Sequence, residues 1–285
     1  MSVPPASSGG THVIQVLNIL ENFDIAAMGP GTTACDHAWI EALRLAFADR
    51  GKYMADSDFV TVPLAGLTNK EYAKVLAAKI NMEAAMGSAS ADDPTKYESG
   101  STTHFSVMDK DGNMVAVTKS INYFFGSGVI VPGTGILLNN HMDDFVLKPG
   151  HVQSIQPGKR PLSSMTPTLV LDPDGRPFMT VGSPGATRII AAVAQVISNV
   201  IDHKMSIQDA IMAPRVFAMA SGPAQLEGRN SINTLKGLEA LGHTVNVRGD
   251  WDAYFGGVHA VLFDRKAKIL YGGADPRRDG QAAAF

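Results

Sequence analysis

Apolar side chains recur every three or four positions through the first part of the chain and every second position after residue 102. Val13, Leu17 and Leu20 follow the small polar stretch Ser7-Ser8-Gly9-Gly10 at helical spacing, and Trp39, Leu43 and Phe47 line one face of 35-CDHAWIEALRLAFADR-50. Residues 69–80 carry a third helical pattern, so residues 1–98 read as helical. The stretch 86-MGSASADDPTKYESGS-101 breaks every period; small, polar and proline-containing, it reads as a surface loop open to cleavage. Residues 102–108 and 114–121 then alternate as strands, joined by Asp109-Lys110-Asp111-Gly112-Asn113, whose Asp-Gly pair is a hairpin signal. Further strands are expected at 134–140, 166–171, 177–182, 244–248, 257–264 and 268–271, and helices at 187–202, 206–212 and 231–241. Ser206 and Asp209 have capping-box spacing, and Gly242 stands where a helix-terminating glycine belongs. Helical blocks flanking mostly antiparallel strands predict a layered α+β domain, without internal repeats or heptads.

Composition narrows the chemistry. The chain has 285 residues, of which 45% are apolar and 18% charged, enough for a substantial core and unlike a disordered sequence. A net charge of −3 leaves no electrostatic footprint for nucleic acid, and no basic run addresses an anionic membrane. The single cysteine, Cys35, excludes an internal disulfide framework and a cysteine-rich metal site, and reads as a buried, inert thiol. The N-terminus MSVPPASSGG lacks the basic and apolar regions of a signal peptide, and the run 189-IIAAVAQVISNVI-201 falls short of a membrane span. These features point to small-molecule chemistry.

Gly182-Ser183-Pro184-Gly185 lacks the spacing of a serine-hydrolase elbow, and Gly126-Ser127-Gly128 has no dinucleotide-binding context. The eight histidines are scattered; His104 and His141 read as a satisfied strand residue and a polar loop residue, and neither a metal nor a cofactor site is expected. Asn139, Asn140, His141, Asp143 and Asp144 follow an apolar run and exceed what a turn needs. Ser163 and Ser164 follow Lys159-Arg160-Pro161-Leu162 and are as consistent with the start of a strand as with a site. Gly185-Ala186-Thr187 precedes a long helix, where free N–H groups can receive an oxyanion. Inside a chain, Thr102 is only a β-branched strand residue. Cleavage of the Ser101–Thr102 bond changes that, because the new α-amine, with an ordinary pKa of about 7.7–8.0, then stands beside the hydroxyl as a base.

Five runs, TTHFSVMDKDGNMVAVT (102–118), FGSGVIVPGTGILLNNHMDDF (125–145), KRPLSSMTPT (159–168), GSPGATRI (182–189) and YGGADPRRDG (271–280), together closely resemble γ-glutamyltransferases. The resemblance continues upstream through PPASSGG (4–10), ILENFD (19–24) and ADRGKYMADSDFVTVP (48–63). It implies an N-terminal-nucleophile hydrolase with an αββα sandwich. Residues 1–101 would be the C-terminal part of the large-subunit region and 102–285 the small-subunit region, the two fragments staying associated after self-cleavage before Thr102. Thr102 would attack a γ-glutamyl amide such as glutathione and pass the acyl group to water, an amino acid or a peptide. By the same resemblance, Ser120, where the family usually has threonine, orients the nucleophile. Asn122 and Asp144 hold the α-amino group, Ser163 and Ser164 the α-carboxylate, and the Gly185 and Ala186 N–H groups form the oxyanion hole.

Three departures accompany the resemblance. His141 stands where the family usually carries Glu or Gln near the amino group. Only residues 146–160 separate Phe145 from Pro161, implying a short or absent lid and an open pocket. Family members also carry a long region ahead of the PPASSGG equivalent, including an arginine that grips the substrate carboxylate, a contact worth about 1.5–3 kcal/mol; here Met1 precedes that motif almost directly. Two alternatives therefore stand beside γ-glutamyl transfer: a cephalosporin- or glutaryl-type acylase, and a non-catalytic chain that needs a separate partner fragment or self-associates. The family also suggests a periplasmic or secreted location.

Overall fold

The structure, a computed structural model, describes residues 1–89 and 102–284. The expected cleavable loop lies mostly outside these residues, as does Ser101. Five helices come first: α1 (Gly9–Leu20), α2 (Ile25–Met28), α3 (Thr33–Tyr53), α4 (Leu64–Leu67) and α5 (Lys70–Ala77). The strands β1 (Thr102–Met108), β2 (Met114–Ser120), β3 (Thr168–Leu171) and β4 (Pro177–Gly182) follow, then α6 (Arg188–Ile201) and α7 (Ile207–Met212). The chain continues through β5 (Val216–Phe217), β6 (Ala224–Leu226), α8 (Ile232–Ala240), β7 (Val245–Val247), β8 (His259–Asp264) and β9 (Ile269–Ala274). No helix among the described residues is long and apolar enough to cross a membrane.

Most elements follow their local signals. Thr32 and Asn69 cap α3 and α5 through their side chains, and Ser206 accepts from the Asp209 amide at the start of α7. Gly242, at φ 94°, ends α8 in the conformation expected of a helix-terminating glycine. In the β1–β2 turn, Asp109 Oδ1 accepts from the amides of Asp111 and Asn113 while Gly112 takes φ 87°. The strand expected at 134–140 does not form. Gly133 and Gly135 both take positive φ, and this exposed excursion folds back on residues 127–131, with Val131 N donating to Ile136 O and Leu138 N to Val129 O around the isolated bridge Ile130–Leu137. Among the described residues it joins none of the three sheets.

Three layers can be traced. The central sheet has the order β3-β4-β8-β9, all antiparallel. Met179 and Val181 point from β4 into the main apolar core, shared with Val16, Ile19, Leu43 and Phe47 of the first helices and with Ile190, Val193 and Ile197 of α6. Between them Thr180 points the other way, its hydroxyl within donating distance (3.3 Å) of Ser106 Oγ or Val115 O, so the β1–β2 hairpin covers the opposite face. The fold is thus α+β, with helices, a sheet and a second sheet layer stacked in order. The outward side of the hairpin carries Phe105, Val107 and Val115, each about half exposed (51%, 48% and 50%). Cys35 is buried as expected, and burial pushes its thiol up to about 12.

YGGADPRRDG acts as a brace. Asp275 accepts from Arg215 Nη2 at 2.7 Å and from the Val258 and Arg277 amides, while Arg277 Nη2 reaches Glu227 at 2.7 Å, all fully buried. This network ties α7, β6 and β8 to the C-terminal segment. Ser183, set aside above as a nucleophile, is buried between Pro184 O and the Gly257 N–H.

Candidate active site

Antiparallel pairing of β1 with β2 sets Thr102 opposite Ser120. Thr102 Oγ1 donates to Ser120 Oγ at 3.1 Å, and that oxygen also accepts from the Asn122 N–H at 2.9 Å. The chain turns sharply there: Asn122 takes φ 72°, is buried, and reaches Asn140 O through Nδ2 at 3.4 Å. Asn140 Oδ1 accepts from the Tyr123 amide, and Asn139 Oδ1 from that of His141. The surplus of polar residues noted at 139–144 therefore divides into two loop-forming asparagines and a short 3-10 turn, His141–Asp144. On that turn His141 Nδ1 lies 2.8 Å from Asp144 Oδ2 and Nε2 lies 3.4 Å from Ser120 O. The hydrogen bond to Asp144 is the main cause that raises the His141 pKa above the ordinary imidazole value.

Ser163 and Ser164 come from a backbone zipper. Ser8 N and Ser8 Oγ both donate to Ser163 O at 2.8 Å, and Ser7 Oγ donates to Met165 O at 2.7 Å, joining PPASSGG to KRPLSSM. Gly9 makes that approach possible, since a Cβ there would lie 2.0 Å from Thr166 Oγ1 and 2.4 Å from Met165 O. From the other side, buried Asp56 accepts from the Arg160 N–H and Nε at 2.8 and 3.0 Å. The bond from the Arg160 side chain is the largest influence holding the Asp56 carboxyl well below the usual range.

These pieces meet around one cavity of about 930 Å³. Thr102, Ser120 and Asn122 line one part; His141 and Asp144 line a second; Ser163 and Ser164 a third; Ala186 and Thr187, just before α6, a fourth. Gly185 lies directly before Ala186 and is buried. Among the described residues the Gly185 and Ala186 N–H groups donate to no group. Segment 146–160 folds against itself, with Val146 N donating to Gln153 O at 3.0 Å, and its Leu147, Lys148 and His151 form a wall of the cavity.

One lining residue escaped the sequence reading. Arg50, at the C-terminal end of α3, donates from Nε to Ser8 Oγ and from Nη2 to Ser164 Oγ, both at 2.9 Å. It is 7% exposed. The signal was present: Leu43, Phe47 and Arg50 fall at i, i+4 and i+7, so a guanidinium occupies the apolar face of its helix.

Away from the cavity, His37, Glu41 and His243 are buried together. His37 Nδ1 and His243 Nε2 are 2.6 Å apart, too close to flank an ion, and the Arg44 guanidinium lies 3.8 Å from Glu41. The cluster is hydrogen-bonded core packing. His104, two residues after Thr102, is held by Thr118 Oγ1 at 2.8 Å and Ser106 Oγ at 3.0 Å, and burial lowers its pKa to about 4.

The family model described as Gamma-glutamyltranspeptidase matches residues 1–285. The glutathione hydrolase proenzyme of Escherichia coli (strain K12) is 43% identical over 97% of this chain and 49% of its own length. The acylase ACY 1 proenzyme of Pseudomonas sp. (strain SE83) is also 43% identical, over 99% of this chain and 49% of its own. The crystal structure of cephalosporin acylase from Bacillus halodurans superposes with a TM-score of 0.88 at 31% identity, over 100% of this chain and 50% of that one. The chain thus spans about half the length of the curated relatives it matches.

Proposed function

Because the chain belongs to the gamma-glutamyltranspeptidase family, we propose that it transfers or hydrolyses γ-glutamyl groups, of glutathione and similar amides, through Thr102 freed by cleavage of the Ser101–Thr102 bond. The observation that carries this reading is the placement of Thr102 Oγ1 against Ser120 Oγ on the wall of a cavity shared with Asp144, Ser163, Ser164 and Ala186. The freed α-amine takes the hydroxyl proton as Oγ1 attacks the γ-carbonyl carbon. Negative charge gathers on the carbonyl oxygen, where the Gly185 and Ala186 N–H groups receive it. The amine then protonates the departing nitrogen as the C–N bond breaks, leaving a γ-glutamyl ester on Thr102. Water or an amino group attacks that ester and regenerates the hydroxyl.

Substrate charges match the remaining walls. Asn122 and Asp144 receive the α-ammonium, and Ser163 and Ser164 the α-carboxylate. Arg50 supports the latter, since its donation to Ser164 Oγ leaves that hydroxyl's own proton free to point at a carboxylate. The outward apolar face of the hairpin, in a chain half as long as its curated relatives, fits an enzyme completed by a segment equivalent to their other half. The second reading, a des-amino acylase, is favoured by one observation: the Asp144 carboxylate is already paired with His141.

Turnover of γ-glutamyl p-nitroanilide and glutaryl p-nitroanilide separates these readings. The proposal expects release from the γ-glutamyl compound and its loss in Thr102→Ala. Release from the glutaryl compound alone selects the acylase reading, and release from neither by a purified, cleaved protein contradicts both.

A further inference from the structure

The His141–Asp144 pair carries an inference about substrate choice that rests on the reading of this cavity as an acyl-donor site. The 3-10 turn sets the two side chains three residues apart with His141 Nδ1 at 2.8 Å from Asp144 Oδ2, while Nε2 faces Ser120 O at 3.4 Å. Both ring nitrogens therefore face oxygens that only accept. A neutral imidazole has one N–H and serves one of them; an imidazolium has two and serves both. No other group among the described residues bonds the Asp144 carboxylate.

We propose that His141 determines specificity: as an imidazolium it occupies Asp144 and favours acyl groups that carry a carboxylate but no α-ammonium, and as neutral imidazole it yields Asp144 to the α-ammonium of a γ-glutamyl donor. The ligand classes are thus monoamides of simple dicarboxylic acids at low pH and γ-glutamyl amides at higher pH. The physical cause is competition. Two cations cannot share one carboxylate at contact distance without repelling each other, and a des-amino acyl chain brings no second cation. The bond to Asp144 shifts the imidazole upward from its ordinary value, so the charged form persists to higher pH than in a free histidine.

Other charges face the same space. Asp143, on the same turn, is engaged by the Tyr123 hydroxyl. Arg50, Lys148 and His151 line the cavity from other segments. These charges, the α-amine of a freed Thr102 and the ligand's own groups are common to the native protein and a His141→Gln variant, so comparing the two isolates His141. Glutamine keeps an amide donor for Asp144 without a titrating charge.

The test uses binding, which does not require turnover. Affinities for L-glutamate and glutarate are measured by calorimetry at about pH 5.5 and about pH 8.5. The native protein is expected to raise its preference for L-glutamate over glutarate by about tenfold between the two, the order expected when two cations compete for one partly exposed carboxylate. His141→Gln is expected to change by less than about threefold and to hold the higher preference at the acid end. An equal pH response in both proteins overturns the proposal alone. Failure of either ligand to bind, or binding indifferent to Asp144→Asn, overturns the reading of the cavity and the proposal with it. As an independent check, the imidazole C–H resonance absent from His141→Gln should titrate above about 6.5; titration at or below that value contradicts the imidazolium clamp.

Discussion

At Ala186 the backbone takes φ 52°, in the left-handed region that costs an L-residue about 1–2 kcal/mol relative to glycine. The strain sits beside the N–H groups proposed to receive the oxyanion, where a fixed backbone would serve that chemistry. Ala186→Gly is expected to raise stability by about 1 kcal/mol or leave it level, because relief of strain is offset by a freer unfolded chain; a urea midpoint lowered by the change would contradict the strain. Ser120 has a different job. Its oxygen accepts from both Thr102 and the Asn122 amide, so Ser120→Ala should lower kcat about 10²-fold with little change in melting temperature, and Ser120→Thr should retain activity. Full activity in Ser120→Ala would remove it from the site. The facing of Ser120 and Thr102 is legible because a hairpin with its turn at 109–113 sets these two positions opposite each other. Arg50 is harder to read, since a charge near a helix end is usually solvated; its spacing from Leu43 and Phe47 is the sequence signal, and the packing of α3 shows it turned inward.

The elements divide between those shaped by local signals and those shaped by a neighbour. The β1–β2 hairpin and the cap of α7 follow from Asp109, Gly112, Ser206 and Asp209 alone. The apolar alternation at 134–140 looks equally strand-like, yet the positive-φ glycines Gly133 and Gly135 turn it back on 127–131 in an exposed excursion that joins none of the sheets among the described residues. The zipper of PPASSGG on KRPLSSM was likewise invisible as an element, because its pairing joins residues more than 150 positions apart. It is nevertheless what presents Ser163 and Ser164. Gly9→Ala is therefore expected to cost about 1–3 kcal/mol or more through overpacking and to raise KM for the γ-glutamyl anilide before kcat falls. An unchanged melting temperature and KM would show that the zipper does not set the pocket.

For the whole molecule, the buried histidines predict how stability follows pH. Burial lowers His104 to about 4 and His12 to about 3, so each is neutral when folded and takes up a proton on unfolding once the pH drops below its ordinary value of about 6.5. Their contribution is fully present above that value and is lost as pH falls toward the folded values, at up to about 1.4 kcal/mol per pH unit for each group. The urea midpoint should fall between about pH 7.5 and about pH 5, and a midpoint that rises over that interval contradicts this balance. The proposed chain scission is the other event at this scale, since it would convert an internal strand residue into a nucleophile with its own base. Intact-mass spectrometry of the purified protein reads it directly. Two associated fragments are expected, one of them beginning at Thr102, and one uncut mass for Thr102→Ala; an uncut native chain that turns over γ-glutamyl anilide, or a cut at another bond, would overturn the role of Thr102.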